Sequence, residues 1–246
     1  MKKQEQLIYL NEVLINLGKY TVNVFGAGGT GSHLIDKLGA LAYALRETTG
    51  KTITLRAYDF DKVSKRNVGR SDFALGDCEW DKTRIAVSKA NLTYGLYWYH
   101  EEDITKFIPA HFNFICTDSA KSRTEYIEKL RTMALDEKLH GDEKPRYLFD
   151  VGNDRDFGQT VLLDLVEGKL ADIDRTGLTS DTVGMETCGE RPLFAEQGLF
   201  INQVMATLTA EMFWQFLTQY NLDYSQLFLN LGIMRMTTKL AWKDGV

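Results

Sequence analysis

The stretch Val22-Asn23-Val24-Phe25-Gly26-Ala27-Gly28-Gly29-Thr30-Gly31-Ser32 decides how this chain folds. A short apolar run ends in glycines at the spacing Gly26-x-Gly28-x-x-Gly31. Leu34, Leu38, Leu41 and Leu45 then recur at helical intervals. The pattern is a strand, a glycine turn and a helix. The first glycine permits a tight turn, the second lets backbone approach a phosphate, and the third lets helix and strand pack closely. The N–H groups and dipole at the helix start favour an anion. Gly26, Ala27, Gly28, Gly29, Thr30 and Gly31 are therefore expected to line a nucleotide site. No Lys-Ser or Lys-Thr follows the glycines, so the loop is not a P-loop.

Outward from this turn, residues 21–25 read as a strand, 31–46 as a helix and 52–58 as a second strand. That is the unit of a parallel sheet with a right-handed crossover. Residues 5–17 read as an amphipathic helix on Leu7, Leu10, Leu14 and Leu17. A helix over about 82–93, with Ile85 and Leu92 inward, precedes strands at 97–100 and 112–116. A helix over about 119–135 carries Tyr126, Leu130 and Met133. Strands at 147–151 and 160–165 flank a turn at 152–158 and are expected to run antiparallel. Residues 171–195 are polar and irregular, a length that marks functional or mobile loops. A helix over 196–219 and a hairpin over 226–240, turning at Leu231-Gly232, close the chain. The expected fold is α/β: a Rossmann-like mixed sheet, parallel in its N-terminal half, antiparallel in its C-terminal strands, with helices on both faces.

Bulk properties narrow the function. The 246 residues are 44% apolar and 26% charged, ordinary for a globular protein. A net charge of −5 argues against a nucleic-acid surface. No run of ~18 apolar residues occurs, so no membrane span is expected. Met1–Gln6 is polar and lacks a signal-peptide apolar stretch. Three cysteines (Cys78, Cys116 and Cys188) form no CxxC pair, which points to a reducing, cytoplasmic setting and away from structural zinc.

A second motif follows the second strand: Asp59-Phe60-Asp61-Lys62-Val63-Ser64-Lys65-Arg66-Asn67-Val68-Gly69-Arg70. Asp59 sits at a strand C-terminus, where a carboxylate accepts bonds from ribose hydroxyls. The glycine loop and Asp59 alone would serve an NAD(P)-dependent oxidoreductase. Asp61, Asn67, Arg70 and Lys82 go beyond that need, because a guanidinium and an ammonium can offset charge developing on phosphate oxygens. Asp118 ends another strand and is suited to hold Mg²⁺ together with phosphate and water. Plainer roles exist singly. Asp61 could cap a turn, Lys82 and Arg84 could be a solvated helix face, and Asp118-Ser119 could cap a helix.

Taken together, Gly26–Gly31, Asp59-x-Asp61-x-Val63, Asn67-Val68-Gly69-Arg70, Lys82 and Cys116-Thr117-Asp118 resemble the ThiF/MoeB/HesA family and the adenylation domains of E1 ubiquitin-activating enzymes. The match runs over residues 20–125. The resemblance implies one adenylation domain over 1–246. Its nucleotide-binding half would lie at 20–125, and its C-terminal half at 140–246 would carry a crossover loop at about 171–195. It implies ribose binding by Asp59, phosphate contacts from Asn67, Arg70 and Lys82, and Mg²⁺ at Asp118. The implied reaction joins ATP to the C-terminal carboxylate of a small ubiquitin-like or sulfur-carrier-like protein ending in glycine, with release of pyrophosphate. A homodimer and an E2-like partner belong to the same implication, and a non-catalytic scaffold of the same fold is the alternative to it. The chain departs from the family pattern at Ser71, where glutamine is usual, and at Arg66 before Asn67. It lacks the CxxC pairs, and no arginine precedes Arg46 to act across a dimer. The length and the segment Glu196–Gln203 look like the ThiF-family proteins of the PRTRC plasmid-associated system.

Cys188 lies in Met185–Pro192, close to Arg191. In the family a cysteine on such a loop can take the acyl group as thioester or persulfide, and a thiolate beside a cation is favoured. A loop cysteine with no role is the other reading. Cys116 ends a core strand and reads as a buried small hydrophobe.

Overall fold

The glycine turn sits at the centre of the sheet. A computed structural model of the chain describes residues 7–103, 106–140, 144–168 and 198–239. Strand β1 (Ile8–Tyr9) and helix α1 (Glu12–Ile15) lead into β2 (Lys19–Phe25), α2 (Gly29–Thr49) and β3 (Thr52–Tyr58). Then come a 3₁₀ turn (Leu75–Asp77), α3 (Lys82–Tyr94), β4 (Tyr99–Glu101), β5 (Phe112–Ile115) and α4 (Ala120–Leu135). The chain continues through β6 (Tyr147–Asn153), β7 (Phe157–Asp164), α5 (Ile201–Gln219), β8 (Asn221–Leu222), β9 (Gln226–Asn230) and β10 (Arg235–Lys239).

The main sheet has eight strands in the order β10-β9-β7-β6-β5-β2-β3-β4. Strands β2 to β6 run parallel to one another, whereas β7, β9 and β10 add antiparallel. The sheet is therefore mixed, as the sequence leads one to expect. Leaving β2, the chain goes first to β3 on one side and only later to β5 on the other. That reversal opens a crevice at the strand C-termini.

Side chains alternate between two cores, as strand pleating requires. Tyr20, Val22 and Val24 of β2, with Phe112 and Phe114 of β5, pack in the larger core with residues of α2, α3 and α5. Phe25, Ile115 and Leu148 face the other way, onto Ile127 and Leu130 of α4. Helices thus cover both faces. The closeness of α2 to β2 depends on Gly31: a Cβ there would lie 1.8 Å from the Gly26 carbonyl oxygen.

Several elements differ from the sequence reading. Residues 5–17 do not form one helix. Ile8–Tyr9 pairs with Asn221–Leu222, and Asn11 caps a four-residue helix by accepting from the Val13 N–H at 3.0 Å. Leu10 and Leu14 are still buried, so their spacing reported burial correctly but not helix length. In α3 the inward face is Ala86, Val87 and Ala90, while Leu92 is 86% exposed and Ile85 only half-buried. Small residues mark the face that α2 approaches. The β6–β7 turn is tighter than expected, because Gly152, Asn153, Phe157 and Gly158 all lie within the strands. The segment 171–195, with Cys188, falls outside the described residues. Among those residues no helix is long and apolar enough to cross a membrane.

Candidate functional site

A cleft of ≈ 240 Å³ opens at the crevice between β2 and β5. Its floor is the glycine turn. Gly26 has φ +90°, and a Cβ on it would lie 3.0 Å from the Cys116 carbonyl carbon, so the ends of β2 and β5 meet there. Gly28 is different: nothing lies within 4 Å of its Cβ position, and it lines the cleft. It also N-caps α2 with no side-chain bond, which leaves the first-turn N–H groups to the cleft. This geometry accommodates a phosphate.

Asp59 anchors the β3 side. Its Oδ2 accepts from the Ala27 N–H at 2.7 Å and its Oδ1 from the Asp61 N–H at 2.8 Å. One carboxylate therefore ties the glycine turn to the following loop. Burial raises its pKa above the usual carboxylate range, opposed by those two bonds and by the Lys82 charge. Each oxygen keeps a second lone pair for a ribose hydroxyl.

The loop after Asp59 folds back on itself. Lys62 bridges to Asp81, Val63 N–H donates to Trp80 C=O, and Lys82 N–H donates to Asp61 C=O. The return places the Lys82 ammonium 2.7 Å from the Asp61 carboxylate. Lys82 is 8% exposed, so it is not a solvated helix face; Arg84 is, lying 4.8 Å over the Trp80 ring. Asp61 caps no turn but pairs with Lys82. Asn67 accepts from the Ser64 N–H and hydroxyl, which shapes the turn leading to Arg70. Burial lowers the Arg70 pKa and the Asp118 charge acts against that shift. The guanidinium stays charged regardless.

From β5, Cys116, Thr117 and Asp118 reach the cleft. The helix cap falls to Ser119, which accepts from the Ser122 N–H at 3.2 Å, so Asp118 is left exposed beside Arg70. Burial pushes the Cys116 thiol up to about 12, which disfavours the thiolate. Among the described residues no three His, Cys, Asp or Glu cluster as a metal site. Asp118 can thus offer Mg²⁺ one ligand, with phosphate and water completing the shell. Every expected site residue from Gly26 to Asp118 reaches this cleft except Ala27 and Gly31, which are buried behind the turn. Cys188 lies outside the described residues.

The far side holds residues that the sequence reading did not single out as site residues, and Asn153 and Asn202 among them meet Thr30, which it did. Arg123 donates to Asp150 at 2.5 Å and to the Val151 carbonyl at 2.8 Å, and both charged groups are buried. Thr30 Oγ contacts Asn153 Oδ1 at 2.7 Å and Asn202 Oδ1 at 3.1 Å, and Asn153 Nδ2 donates to Asn202 Oδ1 at 2.9 Å. Tyr126 stacks on Phe25 at 5.1 Å. No local signal in the sequence joins these positions, since they meet only through the sheet order.

No family model matches the sequence, and no curated protein matches it. The fold is shared with solved structures. E. coli MccB bound to ATP superposes with a TM-score of 0.65 at 15% identity, over 93% of this chain and 66% of that one. E. coli MccB with AMPCPP and MccA gives 0.64 at 15% identity, over 95% of this chain and 68% of that one. PaaA gives 0.62 at 15% identity, over 93% and 66%. The chain thus spans about two thirds of the length of these neighbours.

Proposed function

We propose that this chain is an ATP-dependent adenylyltransferase. It would activate the C-terminal carboxylate of a small protein or peptide, of ubiquitin-like or sulfur-carrier-like kind, ending in glycine. The observation that carries the reading is the convergence of Asp59, Asn67, Arg70, Lys82 and Asp118 on a helix start with no side-chain cap. The structures of MccB, a neighbour in fold, with ATP and with AMPCPP and MccA support it. An oxidoreductase would leave Arg70, Lys82 and Asp118 without a purpose.

The chemistry follows from these placements. Asp59 holds the ribose hydroxyls. The first-turn N–H groups of α2 and the Asn67 amide hold phosphate oxygens. A carboxylate oxygen of the partner attacks the α-phosphorus. The new O–P bond forms as the bond to the bridging β-phosphate oxygen breaks, and pyrophosphate leaves with the electron pair. No proton moves, so the protein's work is alignment and charge stabilisation. Lys82 and Arg70 offset the charge that builds on pyrophosphate. Mg²⁺ held by Asp118 would neutralise phosphate charge further. A homodimer and an E2-like acceptor belong to the same proposal.

ATP–pyrophosphate exchange in the presence of small glycine-ending proteins tests this. Arg70→Ala and Asp118→Ala should each lower exchange by about 10²-fold. Exchange unchanged in both variants would overturn the reading.

A further inference from the structure

Asn202 has a buried donor with nothing to give it to. The residue is 2% exposed, and its Nδ2 has no hydrogen-bond partner among the described residues. Its Oδ1 accepts from Asn153 Nδ2 at 2.9 Å, with the Thr30 hydroxyl 3.1 Å away. With Asn153 Nδ2 donating to Oδ1, the free end of the amide is Nδ2. The amide lies against the start of α2, where its Nδ2 would be 2.9 Å from a Cβ on Gly29, and Asn202 lines the cleft. A buried, unpaired N–H₂ costs stability, so its persistence beside an uncapped helix start needs a reason. A bound oxygen would satisfy it.

Position and charge say which oxygen. Asp59 follows β3, Asn153 ends β6, and the strand order places two strands between them. Three strand spacings amount to roughly 14 Å. If the ribose is at Asp59, Asn202 stands across the glycine turn from it, against Gly29. The cations Arg70 and Lys82 follow Asp59 in the loop on the β3 side, whereas the far side offers a neutral amide and an Arg123 already neutralised by Asp150. Dense phosphate charge belongs with the cations, and a neutral donor suits a singly charged carboxylate.

We infer that Asn202 Nδ2 receives the acyl-side carboxylate of the substrate, next to the phosphate that the first-turn N–H groups of α2 hold. It holds the oxygen that does not attack and becomes the carbonyl oxygen of the acyl-adenylate. The inference rests on the adenylyltransferase reading and adds to it a binding residue for the second substrate. Thr30 and Asn153 act as positioning residues that hold the amide in register.

The test uses the full chain and two probes: AMP, and acetylglycyl-sulfamoyl adenosine, a stable mimic of a glycyl-adenylate. Affinities are measured by calorimetry for wild type, Asn202→Ser and Asn202→Ala, with melting curves to show that each variant folds. The wild type should bind the acyl probe more tightly than AMP. Both variants should lose about tenfold or more for the acyl probe and less than about twofold for AMP. An equal loss for both probes would make Asn202 a phosphate ligand and overturn the inference, as would no loss for either. A wild type that binds neither probe would sink the adenylyltransferase reading itself, and this inference with it.

Discussion

Along the β3 side of the cleft, Asp59, Asp61, Asn67, Arg70 and Lys82 come from one stretch of chain, 59–82. Along the β6 side, Thr30, Arg123, Asn153 and Asn202 come from four stretches that meet only after the sheet has formed. The first side is rich in charge and partly open: the Asp61 side chain is 53% exposed. The second is buried and has its charges cancelled in place. Local turns can aim charged groups at a ligand without tertiary help, whereas a neutral amide network must be held by packing. The two sides should therefore fail in different ways when altered.

The largest contrast lies in the floor between them. Gly31→Ala puts a methyl group 1.8 Å from the Gly26 carbonyl oxygen, and backbone cannot swing aside as a side chain can. A loss of about 3 kcal/mol or more is expected in denaturant melts, at the upper end of overpacking costs. Gly28→Ala meets open space, so stability should change by less than about 0.5 kcal/mol. Its methyl group enters the cleft, so ATP affinity should fall instead. Equal stability losses in the two variants would break the account of the turn.

The next contrast sets a buried ion pair against a half-open one. Arg123→Ala leaves the Asp150 carboxylate buried without its cation, and such losses run at about 3–5 kcal/mol. Asp61→Ala removes a partly exposed partner of Lys82, and less than about 1 kcal/mol should be lost. Thermal melts of both variants measure the gap, and reversed magnitudes would mean that the β6 side is not the packed one.

The smallest effect concerns pH. Burial raises the folded-state pKa of Asp59, so the folded protein holds that proton more tightly than the unfolded chain. Its contribution to stability therefore falls as pH rises from roughly 4 through the raised value. Asp59→Asn lacks this titration but loses an acceptor for one of its two N–H partners. Its stability deficit should be greatest at acid pH and shrink toward neutral pH. A deficit that widens with pH would show that the carboxylate is stabilised in its charged form.

The same division explains what could be read from the sequence. The glycine spacing, the alternation at 52–58 and the strand-end aspartates are local patterns, and they gave β2, α2, β3 and the β3 side of the cleft. Leu92 misled because apolar spacing alone cannot tell a core face from an exposed leucine when alanines do the packing. Residues 5–17 misled because Ile8–Tyr9 found a strand partner more than two hundred residues away in the chain. Asn202 was invisible for the same reason: its meaning comes from Thr30 and Asn153, which no spacing links to it.

The double grip of Asp59 on Ala27 and Asp61 has a kinetic consequence. The loops that would meet a nucleotide are already fastened to each other before it arrives. Their ordering entropy is lost during folding, and little is left to lose at capture. Nucleotide association should then be a single fast step whose rate rises in proportion to ligand concentration without levelling off, the kinetics of a rigid mould rather than of a closing hand.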